Sequence, residues 1–245
     1  MFMHFEIITE KESILLFKDG WILTIKLLCC SLLTGFIGSI PLAVYRNSKN
    51  KFLNKPIWFF TYIIRGTPLL VQLYLLYYGL SQFTLIRESI FWPYLSSASI
   101  CAWLAFTINT MAYTTEILAG AIKSTLPGEI EAARALGMNN FTMFTRILIP
   151  SALRRSIPSY SNEVIMMLHG TSLASVVTLV DVSGAAGKIY SKFYLPFEAY
   201  ITAGIIYLIT TFVLIWIFKK AEKKVAHSFK TTTGILNHAR NKAHP

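Results

Sequence analysis

The sequence predicts an all-α integral membrane protein with about five transmembrane helices. Of its 245 residues, 54% are hydrophobic and only 14% are charged, whereas soluble domains carry about 25% charged residues. Apolar stretches recur that reach the length of about 20 residues with which a helix crosses the hydrocarbon layer. Their side chains do not alternate between polar and apolar as in a membrane β-barrel, so helices must satisfy the backbone hydrogen bonds.

The predicted spans are apolar runs separated by segments that hold most of the charged residues. A charged N-terminal segment, residues 1–19, precedes the first run and leaves no apolar core for a cleavable signal peptide. A basic segment follows the first run, a long polar loop separates the third from the fourth, and a basic segment follows the fifth. The five predicted spans are residues 21–44, 57–80, 95–122, 157–180 and 197–218.

The distribution of lysine and arginine predicts which side of the membrane each segment faces. Sixteen of the 23 basic residues lie in residues 45–56, 123–156 and 219–245, which share one side, and five lie on the other side. Because cytoplasmic loops hold the excess of basic residues, the N-terminus is predicted to be periplasmic and the C-terminus cytoplasmic. Residues 1–225 then form the membrane domain and residues 226–245 a basic cytoplasmic tail. Topology and membrane lipid explain the net charge of +11, so no nucleic acid partner is expected.

The predicted cytoplasmic loop, residues 123–156, contains a short polar helical unit that membrane spans do not require. Pro127 suits the first turn of a helix, where its missing N–H would have no partner. Glu129 and Glu131 follow in that turn, where acidic side chains complement the helix dipole. Ala132 and Ala133 favour a helix, and Gly137 favours its end.

A second short helix is expected after a cap at Asn139 or Asn140, running through residues 146–149. Pro150 and Pro158 are expected to limit its continuation into the fourth span. The result is a helix–turn–helix element with a small alanine-rich face, which another surface can approach closely. The alternative is an amphipathic helix on the bilayer, which would carry bulky apolar and basic residues instead. We therefore interpret this loop as a docking surface for a soluble partner.

The same loop resembles the EAA loop of the membrane subunits of bacterial ABC importers. The matching residues are Glu131, Ala132, Ala133, Gly137, Ile147 and Pro150, with Ile149 where the family has leucine. Residues 65–72 resemble the signature of polar amino acid permeases. Residues 107–116 and 160–164 together look like the M-type permease subunit of histidine (lysine/arginine/ornithine) transport systems. The similarity covers about residues 20–225.

This resemblance implies the fold of a type I ABC importer transmembrane subunit and the other parts of the machine. A second homologous permease subunit would complete a heterodimer in the bacterial inner membrane, and two ATPase subunits would dock on its loops. A periplasmic binding protein would deliver a polar, basic amino acid such as histidine, arginine or lysine. Residues 129–137 would enter a cleft of the ATPase. The expected coupling residues are Glu129, Glu131, Ala132, Ala133 and Gly137.

No cofactor is expected on this chain, because ATP and Mg²⁺ would bind the partner ATPase. Residues 184–188 look like a phosphate loop, but their glycines are too close and Ile189 replaces the Mg²⁺-binding hydroxyl residue. The sequence has neither metal-ligand spacing nor a nucleophile beside a base, so we expect no metal and no catalytic residue. The alternative is a self-sufficient secondary transporter or channel, which would move solute without ATP.

Charged side chains at bilayer depth cost at least about 2.5–3.5 kcal/mol, so the acidic residues within spans are candidates for the substrate path. Glu163, beside Asn162, is a candidate to meet the ammonium or cationic side chain of a substrate. A salt bridge to a partner helix, or a position near the inner interface, is the alternative. Glu116 is a second candidate, although an ion pair with Arg65 would explain it equally well.

Further polar residues lie within the third and fourth spans. Thr107 and Asn109 are two positions apart on a helix and point in different directions, so at most one is expected to line the path. His169 is interpreted either as a buried hydrogen-bonding residue or as a path residue. Near Arg65, Pro68 is expected to bend the second helix.

Overall fold

The computed structural model describes residues 5–243, with the side chains of residue 6 and of residues 8–224. Every regular element in this range is helical, which confirms the predicted all-α fold class. The α-helices are α1 Lys11–Arg46, α2 Lys51–Gly66, α3 Leu69–Tyr74, α4 Thr84–Arg87, α5 Trp92–Leu95, α6 Ala98–Lys123, α7 Pro127–Ala135, α8 Asn140–Met143, α9 Ile149–Gly170, α10 Val182–Phe193 and α11 Pro196–Ala243. The 3-10 and π turns are Phe5–Thr9, Leu75–Gly79, Leu80–Gln82, Phe144–Leu148 and Thr171–Val177.

The first helix begins ten residues before the predicted start of the first span. Although its first turns are rich in charge, Ser13, Phe17 and Gly20 are buried. Phe17 packs with Val182 of α10, and a Cβ atom at Gly20 would stand 2.7 Å from the carbonyl oxygen of Asp181. Packing against α10 therefore extends α1 beyond its apolar run.

The predicted second span is broken in the middle, and its two parts are bent by 102°. Pro68 cannot donate a backbone hydrogen bond and forces the residue before it out of the helical region, so Thr67 is extended at φ −113° and ψ 142°. The side-chain amide of Gln72 donates to the carbonyl oxygens of Ile64 and Thr67 at 2.7 and 3.1 Å. Gln72 thus replaces backbone bonds that the break removes, and the expected bend at Pro68 is found.

The prediction that Pro150 and Pro158 separate the loop from the fourth span is wrong. Helical backbone runs from Asn140 through Pro150 to Gly170, and Pro158 lies inside α9. The π turn Phe144–Leu148 directly precedes α9, and such a turn accommodates a residue that cannot donate its helical bond. The part of the docking loop from Asn140 onward and the fourth span are therefore one continuous helical body.

Residues 182–193, which were not predicted to be helical, form α10. Thr178 adopts a left-handed conformation with φ 68° and ends the preceding 3-10 turn. Asp181 then caps α10, its Oδ1 accepting a hydrogen bond of 2.9 Å from the Gly184 amide. Its Oδ2 accepts one of 2.8 Å from the Tyr207 hydroxyl. These contacts fix α10 against α11, after a bend of 44° relative to Asn140–Val177.

The centre of the molecule lies between α1 and α6. Gly35 of α1 is so close to α6 that an added Cβ would overlap the Thr110 side chain. The main apolar cluster draws residues from α1, α3, α6, α9 and the following 3-10 turn, and its members include Leu28, Leu73, Phe106, Leu168 and Val177. The helices therefore share one core, on which the break before α3 and the end of α9 are positioned.

Within the described residues, two helices are long and apolar enough to cross a membrane, namely α1 and residues Pro196–Lys224 of α11. The count rises to four if α2 with Leu69–Gln82, and Asn140–Val177 with α10, each form one span. α6 has 26 residues, and threonine and asparagine side chains lower its hydropathy. The prediction that α6 forms the third span stays a prediction.

The last helix continues far beyond the predicted end of the fifth span at residue 218. Its backbone is helical to Ala243. Residues 244–245 and the side chains beyond Lys224 lie outside the described residues, so the basic cytoplasmic tail at residues 226–245 stays a prediction.

Candidate functional site

A cavity of about 500 Å³ opens where the broken second span meets α6 and α9. The break supplies its residues 65–69, α6 supplies Asn109 and Tyr113, and α9 supplies Glu163 and His169. Three separate elements therefore converge on one polar recess, and two of the predicted path residues, Glu163 and Asn109, lie on its wall.

Glu163 is the acidic side chain of this cavity. It lies on the inward face of α9 and is only 7% exposed. None of the three ion pairs among the described side chains involves it, although Arg65 lines the same cavity. A carboxylate in this position attracts cationic groups that enter the cavity.

Asn109 is held in place by the broken helix. Its Nδ2 donates a hydrogen bond of 3.0 Å to Oε1 of Gln72, whose own amide caps Ile64 and Thr67. The break therefore has a second consequence beyond the bend, since it fixes a polar side chain of α6 on the cavity wall. The polar side chain of Gln72 was the signal that could have identified this residue as part of the site.

Arg65 lies over the ring of Tyr113, with its guanidinium carbon 5.1 Å from the ring centroid. The Tyr113 hydroxyl donates a hydrogen bond of 3.4 Å to the backbone carbonyl of Arg65. Arg65 makes no ion pair with Glu116 among the described contacts, so the pairing considered for Glu116 is not formed. Instead, Arg65 is a cation stacked on an aromatic ring, and it lines the same cavity as Glu163.

The other predicted path residues lie outside this cavity. The Thr107 and Thr34 hydroxyl oxygens are 2.9 Å apart, which joins α6 to α1. Glu116 pairs with Arg46 in a second cavity of about 290 Å³, and Asn162 is exposed without lining either one. Thr107 and Asn109 thus point to different sides, as their spacing predicts.

His169 lines the edge of the large cavity. Its Nε2 lies 3.3 Å from the hydroxyl oxygen of Thr211 on α11. It therefore bridges α9 and α11. Because His169 is exposed, its interpretation as a buried hydrogen-bonding residue is wrong, and its role as a path residue stays a prediction. No group of three or more His, Cys, Asp or Glu side chains suited to a metal ion occurs in the part of the chain whose side chains are described.

The predicted docking element forms a compact unit of α7 and α8. Gly137 ends α7 with φ 71°, and Oδ1 of Asn139 accepts a hydrogen bond of 2.8 Å from the Thr142 amide, which caps α8. Ala133 is 1% exposed and packs against Met143 and Leu148. Ala133 therefore faces into the element, while Glu131, Ala132 and Gly137 are exposed.

Two bulky apolar side chains project from this element. Leu136 is 76% exposed and Phe141 is 78% exposed. Among the described residues, the element's apolar cluster includes Ala133 and neither of these two side chains. The small residues drew attention in the sequence, whereas the exposed leucine and phenylalanine beside them did not.

Glu129 is directed toward α9 rather than away from the protein. Its Oε1 lies 3.8 Å from Nη1 of Arg155, and its Oε2 is 3.3 Å from the Ser151 hydroxyl. In the sequence, Arg155 is one of the basic residues of the segment 123–156. Its role could not be read from spacing, because Glu129 and Arg155 belong to different helices.

Both the sequence and the fold are similar to those of known transport proteins. Residues 35–227 match the family model for the binding-protein-dependent transport system inner membrane component. The chain is 46% identical over 225 residues to the histidine/lysine/arginine/ornithine transport system permease protein HisM of Salmonella typhimurium, covering 89% of this chain and 96% of the relative. It is 44% identical over 211 residues to the octopine transport system permease protein OccM of Rhizobium meliloti, covering 86% of each. A chain in a crystal structure of an amino acid ABC transporter with histidines is 32% identical, with a TM-score of 0.81 over 91% of this chain and 100% of that one.

Proposed function

The chain belongs to the family of binding-protein-dependent transport system inner membrane components, and we propose that it carries a cationic amino acid across the bacterial inner membrane. Its relatives make it a permease subunit of an amino acid ABC importer, a class that works with an ATPase and a binding protein. The observation that carries the substrate proposal is the nearly buried carboxylate of Glu163 on the wall of the polar cavity.

The two charges of the cavity suit an α-amino acid with a basic side chain. Glu163 would accept hydrogen bonds from its ammonium, guanidinium or imidazolium group, and Arg65 would attract its carboxylate. Asn109 supplies an amide that is already oriented by Gln72. The relative HisM belongs to a histidine/lysine/arginine/ornithine transport system, and these amino acids favour the same class.

Motion for transport would enter through the docking element. The exposed residues of α7 and the following turn would sit in a cleft of an ATPase subunit, which alone would bind ATP and Mg²⁺. Residues Asn140–Val177 form one helical body that reaches from this element to Glu163. At a rise of about 1.5 Å per residue, Asn140 and Glu163 lie about 35 Å apart along this body. A push on α8 would therefore move one wall of the cavity.

A second homologous permease subunit would supply the remaining wall of the path. The break, α6 and α9 bound the cavity within this chain, and a heterodimer would close it from the other side. Two ATPase subunits on the cytoplasmic face and a binding protein on the periplasmic face complete the proposed importer.

The test is uptake of labelled arginine and glutamine by the complete complex in proteoliposomes. Glu163→Gln should raise the KM for arginine roughly ten- to hundredfold, because a hydrogen bond to a charged group contributes about 1.5–3 kcal/mol. The KM for glutamine, which keeps only the α-ammonium, should rise less. Glu12→Gln is the matched control, since Glu12 pairs with Lys192 at an exposed site outside the cavity.

An unchanged KM for arginine in Glu163→Gln would remove Glu163 from the substrate site. Equal losses for arginine and glutamine would contradict the preference for cationic side chains. Absence of ATP-dependent uptake by the wild-type complex would overturn the proposed function as a whole.

A further inference from the structure

Arg155 occupies a junction between three helices outside the substrate cavity. Its Nη2 donates hydrogen bonds to the carbonyl oxygen of Ala121 at 3.1 Å and to the hydroxyl of Thr125 at 2.7 Å. Its Nη1 donates to the Ser151 hydroxyl at 2.5 Å and lies 3.8 Å from Oε1 of Glu129. One guanidinium therefore contacts the end of α6, the start of α7 and its own helix α9.

The contacts to Ala121 and Thr125 close the C-terminal end of α6. Ala121 lies in the last turn of that helix, where carbonyl groups have no partner within the helix. A cation at this position also complements the helix dipole. Glu129 lies in the first turn of α7, where an acid complements the dipole of that helix. Arg155 thus donates to a carbonyl group at the end of α6 and pairs with an acidic side chain in the first turn of α7, on the two sides of the break at residues 124–126.

The docking element has few other means of holding α6. All members of its apolar cluster that are described lie between Ile130 and Leu148, so α6 contributes no side chain to that cluster. The linking segment contains Leu126, which is extended and 65% exposed. Leu153 of α9 packs against Leu118 and Ala119 of α6, and Arg155 adds a polar link between α9, the end of α6 and the first turn of α7.

The helix held in this way carries part of the cavity. Asn109 and Tyr113 both belong to α6, whereas Glu163 belongs to α9. A displaced docking element would move α9 directly, because their helical backbone is continuous. It would move α6 in step only if the two helices are tied together near the element.

We propose that Arg155 is a positioning residue that makes α6 follow the docking element, so that both walls of the cavity move together during transport. This inference rests on the proposed function. Arginine suits the role because its planar fork of donors reaches the α6 carbonyl, two hydroxyls and the carboxylate at once. A lysine ammonium is a point charge on a flexible stem and holds such a set less firmly.

The test measures amino acid uptake and ATP hydrolysis together in proteoliposomes that contain the complete complex. In Arg155→Gln, the number of substrate molecules taken up per ATP hydrolysed should fall about tenfold, because α6 no longer follows α9. Arg155→Lys should restore part of that ratio. Arg154→Gln, at the exposed neighbouring position, is the matched control and should keep the wild-type ratio.

A second variant keeps the inference testable if Arg155→Gln does not assemble. Thr125→Val removes one partner hydroxyl with little change in volume. It should lower the number of substrate molecules taken up per ATP hydrolysed about threefold. Combining it with Arg155→Lys should cause no further loss. A wild-type ratio in Arg155→Gln, or in Thr125→Val, would overturn the inference. An equal fall in uptake and ATP hydrolysis with an unchanged ratio would also overturn it. Because the wild-type complex takes up substrate in all these outcomes, they are distinct from failure of the proposed function.

Discussion

The Nε of Arg46 donates a hydrogen bond of 2.7 Å to the carboxylate of Glu116, which joins the end of α1 to α6. The same carboxylate oxygen accepts a hydrogen bond of 2.7 Å from Thr61 of α2, and Arg46 also donates to Oδ1 of Asn54 at 2.9 Å. Three helices are thus tied together on the side predicted to be cytoplasmic. This position, away from the cavity that Glu163 lines, indicates that Glu116 stabilises the fold.

Glu116→Ala should lower the stability of the complex by about 1–3 kcal/mol, because Arg46 and Thr61 would lose their shared acceptor. Thermal unfolding of the detergent-solubilised complex measures this loss. Glu12→Ala serves as the control, since its exposed pair with Lys192 should contribute only about 0–1 kcal/mol. A rise in the KM for arginine with unchanged thermal stability would instead place Glu116 in the substrate path.

Gln72→Leu should destabilise the break between α2 and α3. The substitution keeps the apolar part of the side chain but removes the amide that donates to the carbonyl groups of Ile64 and Thr67, and the oxygen that accepts from Asn109. Each unsatisfied buried group costs about 1–3 kcal/mol, so thermal unfolding of the complex should occur at lower temperature and uptake should fall. Gln82→Leu, at an exposed position, should have little effect. Equal stability of the two variants would show that Gln72 does not hold the break.

Gly20→Ala should weaken the packing of α1 on α10. The added Cβ would stand 2.7 Å from the carbonyl oxygen of Asp181, which is backbone and cannot rotate away. Such overpacking costs about 1–3 kcal/mol. Gly204→Ala is the matched control, because no atom lies within 4 Å of its added Cβ and alanine is favoured over glycine in a helix by about 1 kcal/mol. A Gly20→Ala complex that melts no lower than wild type would contradict this account of the α1–α10 contact.

Leu136→Glu should weaken association with the ATPase while leaving the chain folded. Leu136 is 76% exposed, so a charge there costs the isolated subunit little but would be buried in the proposed cleft. Co-purification of the ATPase with tagged permease measures the loss. Leu85→Glu, 86% exposed at a site remote from the docking element in the sequence, is the control. Equal recovery of ATPase with both variants would argue against docking through this surface.

The sequence predicted the parts of the fold that depend on local apolar runs and on single residues with strong conformational limits. The all-helical class and the bend at Pro68 follow from such features. The early start of α1 and the helix α10 depend instead on contacts between distant segments, such as Gly20 with Asp181. The continuous helix through Pro150 depends on a π turn, which has no simple sequence signature.

The residues of the candidate site were likewise predictable only where a local feature of the sequence marked them. Glu163 and Asn109 stood out because polar groups are rare at bilayer depth, and both lie on the cavity wall. Gln72 and Arg155 were missed as functional residues, since their roles depend on partners in other helices. The pairing of Glu116 with Arg46 likewise spans 70 positions, which residue spacing alone does not reveal.

The central claim is that force from a separate ATPase enters this subunit through the docking element and moves substrate. The most direct measurement is accumulation of labelled arginine in proteoliposomes that hold the complete complex, with ATP and Mg²⁺ on the ATPase side. We expect accumulation with ATP and none from the same complex without ATP or without the ATPase subunits. Accumulation of arginine by the permease subunits alone would contradict the claim.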